Sequence, residues 1–241
     1  NVLTLVAAAF LNEGEEALMA AVTFSIYATA ARIMGARPVE VPLRGHTHDL
    51  PAMRRAVTER TKLVFICNPN NPTGTIVHRG DLERFVRDLP ARTLVILDEA
   101  YRDFVTDPEH ADGLDFVRAG LPVLSVRTFS KLYGLAGLRI GYLLGCPELL
   151  TGVNRVREVF PVDRLAQAAA LAALDDEEHC RRTLAANEAG KRYLVAELER
   201  LGAACVPSQT NFVFADLHRD SAELAAALAR EGILIRPGAG W

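Results

Sequence analysis

The stretch TFSKLYGLAGLRIGY, residues 128–142, follows a short apolar run and brings hydroxyl groups, one amine and one guanidinium close together. Thr128 and Ser130 supply the hydroxyl groups, Lys131 the amine and Arg139 the guanidinium. Hydroxyl and guanidinium donors suit a phosphate dianion, and a neighbouring amine can form an imine with an aldehyde. The stretch therefore favours a phosphorylated aldehyde as ligand, although a solvated, glycine-rich loop with a surface lysine would have the same composition.

Three apolar runs end abruptly in polar residues. Residues 62–67 (KLVFIC), 94–97 (LVIL) and 123–126 (VLSV) are predicted to be buried strands, and they are followed by NPNNPTG, DEAY and the stretch quoted above. In open α/β sheets, ligands bind in the crevice beyond the carboxyl ends of the strands. We therefore expect these three motifs to meet at one edge of a sheet.

The rest of the chain alternates between helical and strand-like patterns, which predicts an α/β fold with a mainly parallel sheet. The further predicted helices are residues 25–34, 49–57, 81–89 (with Asp81 as N-cap), 164–174, 177–201 and 221–230; the further predicted strands are 39–43, 211–215 and 233–236. A change of texture near residues 159–162 predicts two domains, a large one over 1–158 and part of a smaller α+β one over 159–241.

The charge pattern excludes some classes of partner. The chain has 241 residues, a formal net charge of −3 and no long run of either sign, so neither nucleic acid nor a membrane is expected to bind by bulk electrostatics. No apolar stretch approaches the roughly 18 residues that span a bilayer. Small molecules are the expected partners.

Cysteine and histidine usage predicts no metal site. Cys67, Cys146, Cys180 and Cys205 form no CxxC pair, which fits a reduced, cytoplasmic compartment. His46 and His48 lie in a Gly/Thr stretch without further ligand types nearby, and we interpret them as part of a solvated loop.

The two other motifs each have a structural interpretation besides a functional one. NPNNPTG, residues 68–74, could simply make turns, or it could hold the Asn71 amide in a fixed geometry against a ligand oxygen. In DEAY, Asp98 directly follows four apolar residues, where burial would penalise an unpaired carboxylate. Its cation could be a protonated ring nitrogen, or Asp98 could form a salt bridge or cap a helix.

In combination, and with VTFSIY at residues 22–27, these motifs resemble the fold-type-I aminotransferases that depend on pyridoxal 5′-phosphate, and most closely the histidinol-phosphate aminotransferases. The resemblance covers essentially the whole chain. It implies a three-layer α/β/α large domain, amino transfer between L-histidinol phosphate and 2-oxoglutarate in histidine biosynthesis, and a homodimer.

The resemblance also implies a role for each residue of the cofactor site. Lys131 would form the Schiff base with pyridoxal phosphate and later move a proton between the substrate α-carbon and the cofactor. Asp98 would pair with the pyridinium nitrogen. Asn71 and Tyr101 would donate to the ring oxygen, and Phe24 would stack on the ring.

Further positions carried over concern the phosphate and the substrate. Ser130, Arg139 and Thr128 would hold the phosphate. Arg236 would lie near the substrate, with a strand-end surface charge as the equal alternative. Asn211 would face the active site, although a turn residue that begins a strand is the alternative interpretation.

The chain departs from the family pattern in places. Ala21 and Val22 stand where the family has proline before the stacking aromatic residue. The helix whose N-terminus binds phosphate in the family would already contain Asn1, and the family's substrate-carboxylate arginine is expected beyond Trp241. We therefore expect a partial chain.

Other functions share these residues. A decarboxylase acting on threonine phosphate and an aromatic-amino-acid aminotransferase would use the same cofactor site, because fold and cofactor do not fix the reaction. A ligand-sensing domain of a transcription regulator is an alternative from another class, but the basic stretch of a DNA-binding region is not visible.

Overall fold

The computed structural model describes residues 2–238, and a six-stranded sheet forms their centre. The order across the sheet is β2-β1-β3-β4-β5-β6. Every neighbouring pair from β2 to β5 is parallel, and β6 joins β5 antiparallel. The strands are β1 Glu16–Ala20, β2 Arg37–Val41, β3 Thr61–Cys67, β4 Leu94–Asp98, β5 Val123–Thr128 and β6 Gly141–Leu144. The expected mainly parallel sheet is confirmed.

Helices cover both faces of this sheet, which confirms the three-layer α/β/α arrangement. One face packs against α1 Val2–Phe10, α2 Ile26–Ile33 and α6 Pro147–Val156; the other packs against α3 Leu50–Ala56, α4 Arg79–Arg87 and α5 Gly113–Arg118. Because both faces are covered, β3 and β4 are almost continuously buried, as their unbroken apolar sequences predicted.

The register of the central strands brings the polar motifs to one level. Cys67 at the end of β3 lies opposite Asp98 at the end of β4, and Asp98 lies opposite Val126 of β5. Parallel strands with matched ends therefore present NPNNPTG, DEAY and the Lys131 segment at the same edge, which is where the sequence placed them.

After the sheet, the chain is mainly helical. α7 Arg164–Leu174 and α8 Glu177–Arg200 match their predicted ranges almost residue for residue. Asp163 and Asp176 cap them, each accepting a hydrogen bond from a backbone N–H of the first turn. β7 Ala204–Val206 and β8 Phe214–Asp216 form a separate antiparallel pair, and α9 Ser221–Arg230 follows.

Three strand predictions were wrong in whole or in part. Residues 233–236 form no strand, because no strand pairs with them. Within residues 2–238, β7 and β8 pair only with each other. The strand predicted at 211–215 is confined to β8, since the preceding residues make side-chain turns, in which Ser208 and Thr210 both donate to the Phe212 carbonyl. The strand predicted at 39–43 is β2, two residues earlier, where it pairs along all of β1.

The helix predicted at 81–89 begins earlier than expected. Asp81 is not its N-cap: that position belongs to His78, and Asp81 lies in the first turn, paired with Arg84. The reason is tertiary, because Arg79 N–H donates to the Glu109 carbonyl and fixes the chain direction before Asp81 is reached. The sequence analysis did not predict β1, β6, β7, α5 and α6.

Candidate active site

Tyr101 lies at the centre of the site, and two of the other predicted residues, Lys131 and Asn71, lie beside its ring. The Lys131 ammonium nitrogen Nζ lies over the ring, 4.9 Å from its centroid. Asn71 Nδ2 donates to the Tyr101 hydroxyl at 3.4 Å, and the edge of Phe212 packs against the ring at 5.1 Å between centroids. Burial, followed by the nearby Cys67 and Asp98, raises the pKa of Tyr101 above its usual value, so its hydroxyl stays protonated and able to donate.

Asp98 is a buried carboxyl group with only neutral hydrogen-bond donors. The side chain is 5% exposed; Oδ2 accepts from the Tyr27 hydroxyl at 2.8 Å and Oδ1 from the Ala100 N–H at 3.1 Å. No salt bridge to Asp98 occurs within residues 2–238. Burial raises the pKa of Asp98, and the Tyr27 and Ala100 hydrogen bonds and the Lys131 charge partly oppose that rise. The carboxyl group is therefore held by neutral donors, with the Lys131 charge acting on it from beyond salt-bridge distance.

The Phe24 ring contacts the ring of Tyr27, whose hydroxyl donates to Asp98. Its edge meets the Tyr27 ring at 5.8 Å and 89°, and Tyr27 stacks on Phe65 at 4.8 Å with 9° between the planes. Phe24 is 39% exposed, whereas Tyr27 is fully buried. Of these three rings, only Phe24 is open to a ligand, and Phe24 is the ring predicted to stack on a cofactor.

The NPNNPTG loop is held rigidly by its other asparagine. Asn70 is fully buried; its Oδ1 accepts from Thr23 at 2.8 Å, and its Nδ2 donates to Val22 O at 3.1 Å and to Thr73 Oγ1 at 2.9 Å. These bonds tie the loop to the segment that carries Phe24. The Asn70 amide is therefore occupied by hydrogen bonds within the protein. The Asn71 amide is the one that lies near Tyr101, over whose ring Lys131 is placed.

The predicted phosphate-binding residues form a turn after β5. Thr128 Oγ1 donates to Ser130 Oγ at 2.9 Å and accepts from the Ser130 N–H at 3.0 Å. Arg139 is exposed, has a left-handed backbone (φ 51°), and its Nη1 donates to the Ala136 carbonyl at 2.7 Å. The carbonyl of the next residue, Ile140, accepts from the Phe129 N–H. This bond brings the backbone after Arg139 next to the turn formed by Thr128 and Ser130.

A buried ionic cluster lies directly behind the site. Arg127 Nε donates to Glu99 Oε2 at 3.0 Å, and Arg127 Nη2 donates to Asp112 Oδ1 at 2.5 Å. Glu99 also accepts from Ser125 Oγ and from the Gly113 N–H. The two carboxylates raise the pKa of Arg127, which therefore stays charged. The cluster fixes β4 to β5 one residue beyond Asp98.

The two predicted substrate residues are on the surface. Asn211 is exposed next to Phe212, whose ring contacts Tyr101, and Arg236 is exposed in the irregular segment after α9. Neither position tests the expected role.

The interpretation of His48 as a solvated loop residue was wrong. The side chain is buried, and Nε2–H donates to the Cys67 carbonyl at 3.0 Å. Its turn folds inward because that carbonyl, at the end of β3, offers an acceptor. His46 is exposed, as expected.

Sequence reasoning missed Tyr27, Asn70 and Phe212 as parts of this site. Tyr27 was within the quoted VTFSIY motif, three residues after Phe24, close enough in sequence for the two rings to meet where α2 begins. Asn70 was within NPNNPTG. Nothing in the local sequence around Phe212 indicated its contact with Tyr101.

The residues present fit pyridoxal phosphate. An aldehyde needs an amine, a basic ring nitrogen needs an anionic partner, and a ring hydroxyl needs donors; Lys131, Asp98 and the pair Asn71 and Tyr101 provide these around one space. The unpaired buried carboxyl group is the observation that favours this fit most directly.

Comparison with known proteins identifies the family. The family described as aminotransferase class I and II matches residues 1–240. The histidinol-phosphate aminotransferase of Moorella thermoacetica is 49% identical over 239 residues, which cover 99% of this chain and 62% of that protein. The chain thus spans less than two thirds of that relative's length.

Solved structures agree with this assignment. The crystal structure of histidinol-phosphate aminotransferase from Sinorhizobium meliloti in complex with pyridoxal-5′-phosphate is 30% identical, with a TM-score of 0.92 over 99% of this chain and 66% of that one. Aspartate aminotransferase from Thermus thermophilus with maleate gives a TM-score of 0.87 at 28% identity, over 99% of this chain and 65% of that one. The chain belongs to the aminotransferase class I and II family.

Proposed function

We propose that the protein is a pyridoxal-phosphate-dependent aminotransferase that moves an amino group between L-histidinol phosphate and 2-oxoglutarate, as in histidine biosynthesis. The observation that carries this proposal is the arrangement around Tyr101: the Lys131 amine lies over the ring, and the buried carboxyl group of Asp98 has no salt-bridge partner within residues 2–238. The names of relatives at 39–49% identity favour this substrate.

In this function Lys131 has two tasks. Its amine would hold the cofactor, and with substrate bound the same amine would accept the proton of the substrate α-carbon and give it back. When bound, the cofactor supplies an electron sink that weakens the bonds to that carbon. The position of Lys131 over the Tyr101 ring keeps the amine inside the site throughout.

The remaining residues orient the ring and exclude water. Asp98 would hold the proton on the ring nitrogen, because a buried carboxylate is stabilised by an adjacent cation. Asn71 and Tyr101, which lie together, would donate to the ring oxygen, and Phe24 would cover one ring face. Because the Tyr101 hydroxyl accepts from Asn71, its own hydrogen can be donated to another oxygen.

The ligand's charged groups would be bound at the rim of the site. Thr128, Ser130 and Arg139 would hold the phosphate as donors, and Arg236 and Asn211 would contact the substrate. The first two already form one hydroxyl turn, which supports their shared role.

The wider organisation follows from the same proposal. Residues 1–158 would form the cofactor-binding domain and 159–241 part of the smaller domain, and the protein would act as a cytoplasmic homodimer. No helix within the described residues is long and apolar enough to cross a membrane.

A trapping experiment tests the cofactor site. The protein is incubated with pyridoxal phosphate, reduced with borohydride, digested, and the modified lysine is mapped by mass spectrometry. We expect the label on Lys131 and none in Lys131→Ala, while Lys62→Ala serves as the control because Lys62 is paired with Glu15 on the surface. A label on Lys62 or Lys191 in the wild type would contradict the site.

The reaction is tested separately by product analysis. We expect L-histidinol phosphate and 2-oxoglutarate to give glutamate at a rate well above that with an aromatic amino acid as donor. Release of carbon dioxide from threonine phosphate, without glutamate formation, would instead favour the decarboxylase alternative.

A further inference from the structure

Tyr27 shares a buried hydrogen bond with Asp98 that joins two parts of the chain 71 residues apart. The phenol donates to Oδ2 at 2.8 Å, and both side chains are almost completely buried. Burial and the Asp98 charge raise the pKa of Tyr27 well above its usual value, so the phenol stays protonated and can only act as donor to the carboxylate. The phenol therefore remains a donor to Asp98 at neutral pH.

The ring that carries this hydroxyl cannot turn away. It is stacked on Phe65 of β3 and also makes a T-shaped contact with Phe24. The second carboxylate oxygen of Asp98 is fixed in turn by the Ala100 N–H. With one donor on each oxygen, the plane of the carboxylate is determined, and each oxygen retains acceptor capacity for one more donor.

We propose that Tyr27 is a positioning residue for the cofactor site, which sets the orientation of Asp98 toward the ring nitrogen and braces Phe24 against the ring face. This inference rests on the proposed function. Tyr27 itself does not contact the reacting atoms; it acts through Asp98. An ionised, correctly directed carboxylate is what a pyridinium ring requires, and a buried carboxylate with fewer donors would be protonated more readily.

The first test is the affinity for pyridoxal phosphate, measured by absorption titration of the purified protein. Tyr27→Phe keeps the ring and its stack on Phe65 but removes the donor, and we expect about ten- to hundredfold weaker binding, the usual effect of one hydrogen bond to a charged group. Tyr193→Phe removes a hydroxyl from an exposed ring on α8 and should leave the affinity unchanged. Equal affinity in Tyr27→Phe and the wild type would overturn the inference.

A double-mutant cycle separates positioning from general packing. In an Asp98→Asn background, we expect Tyr27→Phe to cause little further loss, because the carboxylate on which it acts is gone. A loss as large as in the wild-type background would overturn the inference. Phe65→Leu, which removes the stack but keeps the hydroxyl, should weaken binding less than Tyr27→Phe; the reverse order would also overturn it.

The inference and the proposed function fail in different ways. If the wild type forms no reducible bond to pyridoxal phosphate at Lys131, the proposed function fails and this inference with it. If the wild type is labelled at Lys131 and any one of the three variant comparisons contradicts the expected result, only the role of Tyr27 is overturned.

Discussion

Gly74 lies so close to Ser208 that a Cβ atom added at Gly74 would be 2.5 Å from Ser208 Oγ and 3.1 Å from its Cα. The contact joins the NPNNPTG loop to the segment before β8, and Gln209 N–H donates to the Gly74 carbonyl at 2.8 Å beside it. The same segment carries Phe212 to the Tyr101 ring. The loop that presents Asn71 is therefore supported by a distant part of the chain.

Gly74→Ala should destabilise the protein more than Gly202→Ala. Both glycines have positive φ, +77° and +87°, so alanine at either costs about 1–3 kcal/mol of backbone strain. Only Gly74 has a neighbour in the way, and displacement of Ser208 adds about 1–3 kcal/mol. The free energies of unfolding from urea titrations check this expectation, and equal losses in the two variants would contradict it.

Arg127→Met should be strongly destabilising because it leaves Glu99 buried without its cation. The side chains of Arg127 and Glu99 are 10% and 0% exposed, and removing one partner of such a pair costs about 3–5 kcal/mol. The control is Arg200→Met on α8, whose pair with Glu197 is exposed, where about 1 kcal/mol or less is expected. Guanidinium unfolding measures both, and similar losses would show that the cluster contributes little.

His48 should make the protein sensitive to mild acid. Its Nδ1 is buried and has no hydrogen-bond partner among residues 2–238, and burial lowers its pKa from 6.5 to about 4. As the pH falls from 6.5 towards 4, the unfolded chain takes up a proton that the folded chain does not, so the free energy of unfolding decreases, by about 3 kcal/mol once the pH reaches 4. Above pH 6.5 this contribution is constant.

The comparison with His48→Gln isolates that contribution. Glutamine can still donate to the Cys67 carbonyl but does not titrate, so its unfolding free energy should fall less steeply between pH 6.5 and 4. His46→Gln, at an exposed position, should follow the wild type. Parallel curves for the wild type and His48→Gln would rule out this role of His48.

Asp98→Asn should separate stability from cofactor binding. Burial raises the pKa of Asp98 in the folded protein, so the ionised carboxylate lowers the stability of the folded state at neutral pH. This loss of stability grows as the pH rises from the pKa of Asp98 in the unfolded chain to its pKa in the folded protein. The asparagine variant should therefore be at least as stable without cofactor at pH 7, yet bind pyridoxal phosphate tenfold more weakly or worse, about 1.4 kcal/mol. Thermal unfolding and absorption titration measure the two effects, and a less stable variant would contradict the first.

Much of the candidate site could be predicted because its signals are local. Lys131, Asp98 and Asn71 each lie just after a buried apolar run, and parallel strands bring such ends together. The strand predicted at 233–236 shows the limit of the same reasoning: residues 233–235 are apolar and exposed, and an apolar run becomes a strand only where a neighbouring strand can pair with it.

The sequence by itself determined the α/β class, the central strands and the edge of the sheet at which the three polar motifs meet, because burial periodicity and strand ends are encoded in adjacent residues. Only the tertiary structure decided that Tyr27 donates to Asp98, that Ser208 packs against Gly74 and that His48 is buried. Each of these depends on contacts between segments separated by 19 to 134 residues in the chain (48 and 67, 74 and 208), and such contacts follow from how helices and loops pack on the sheet, which no local pattern specifies.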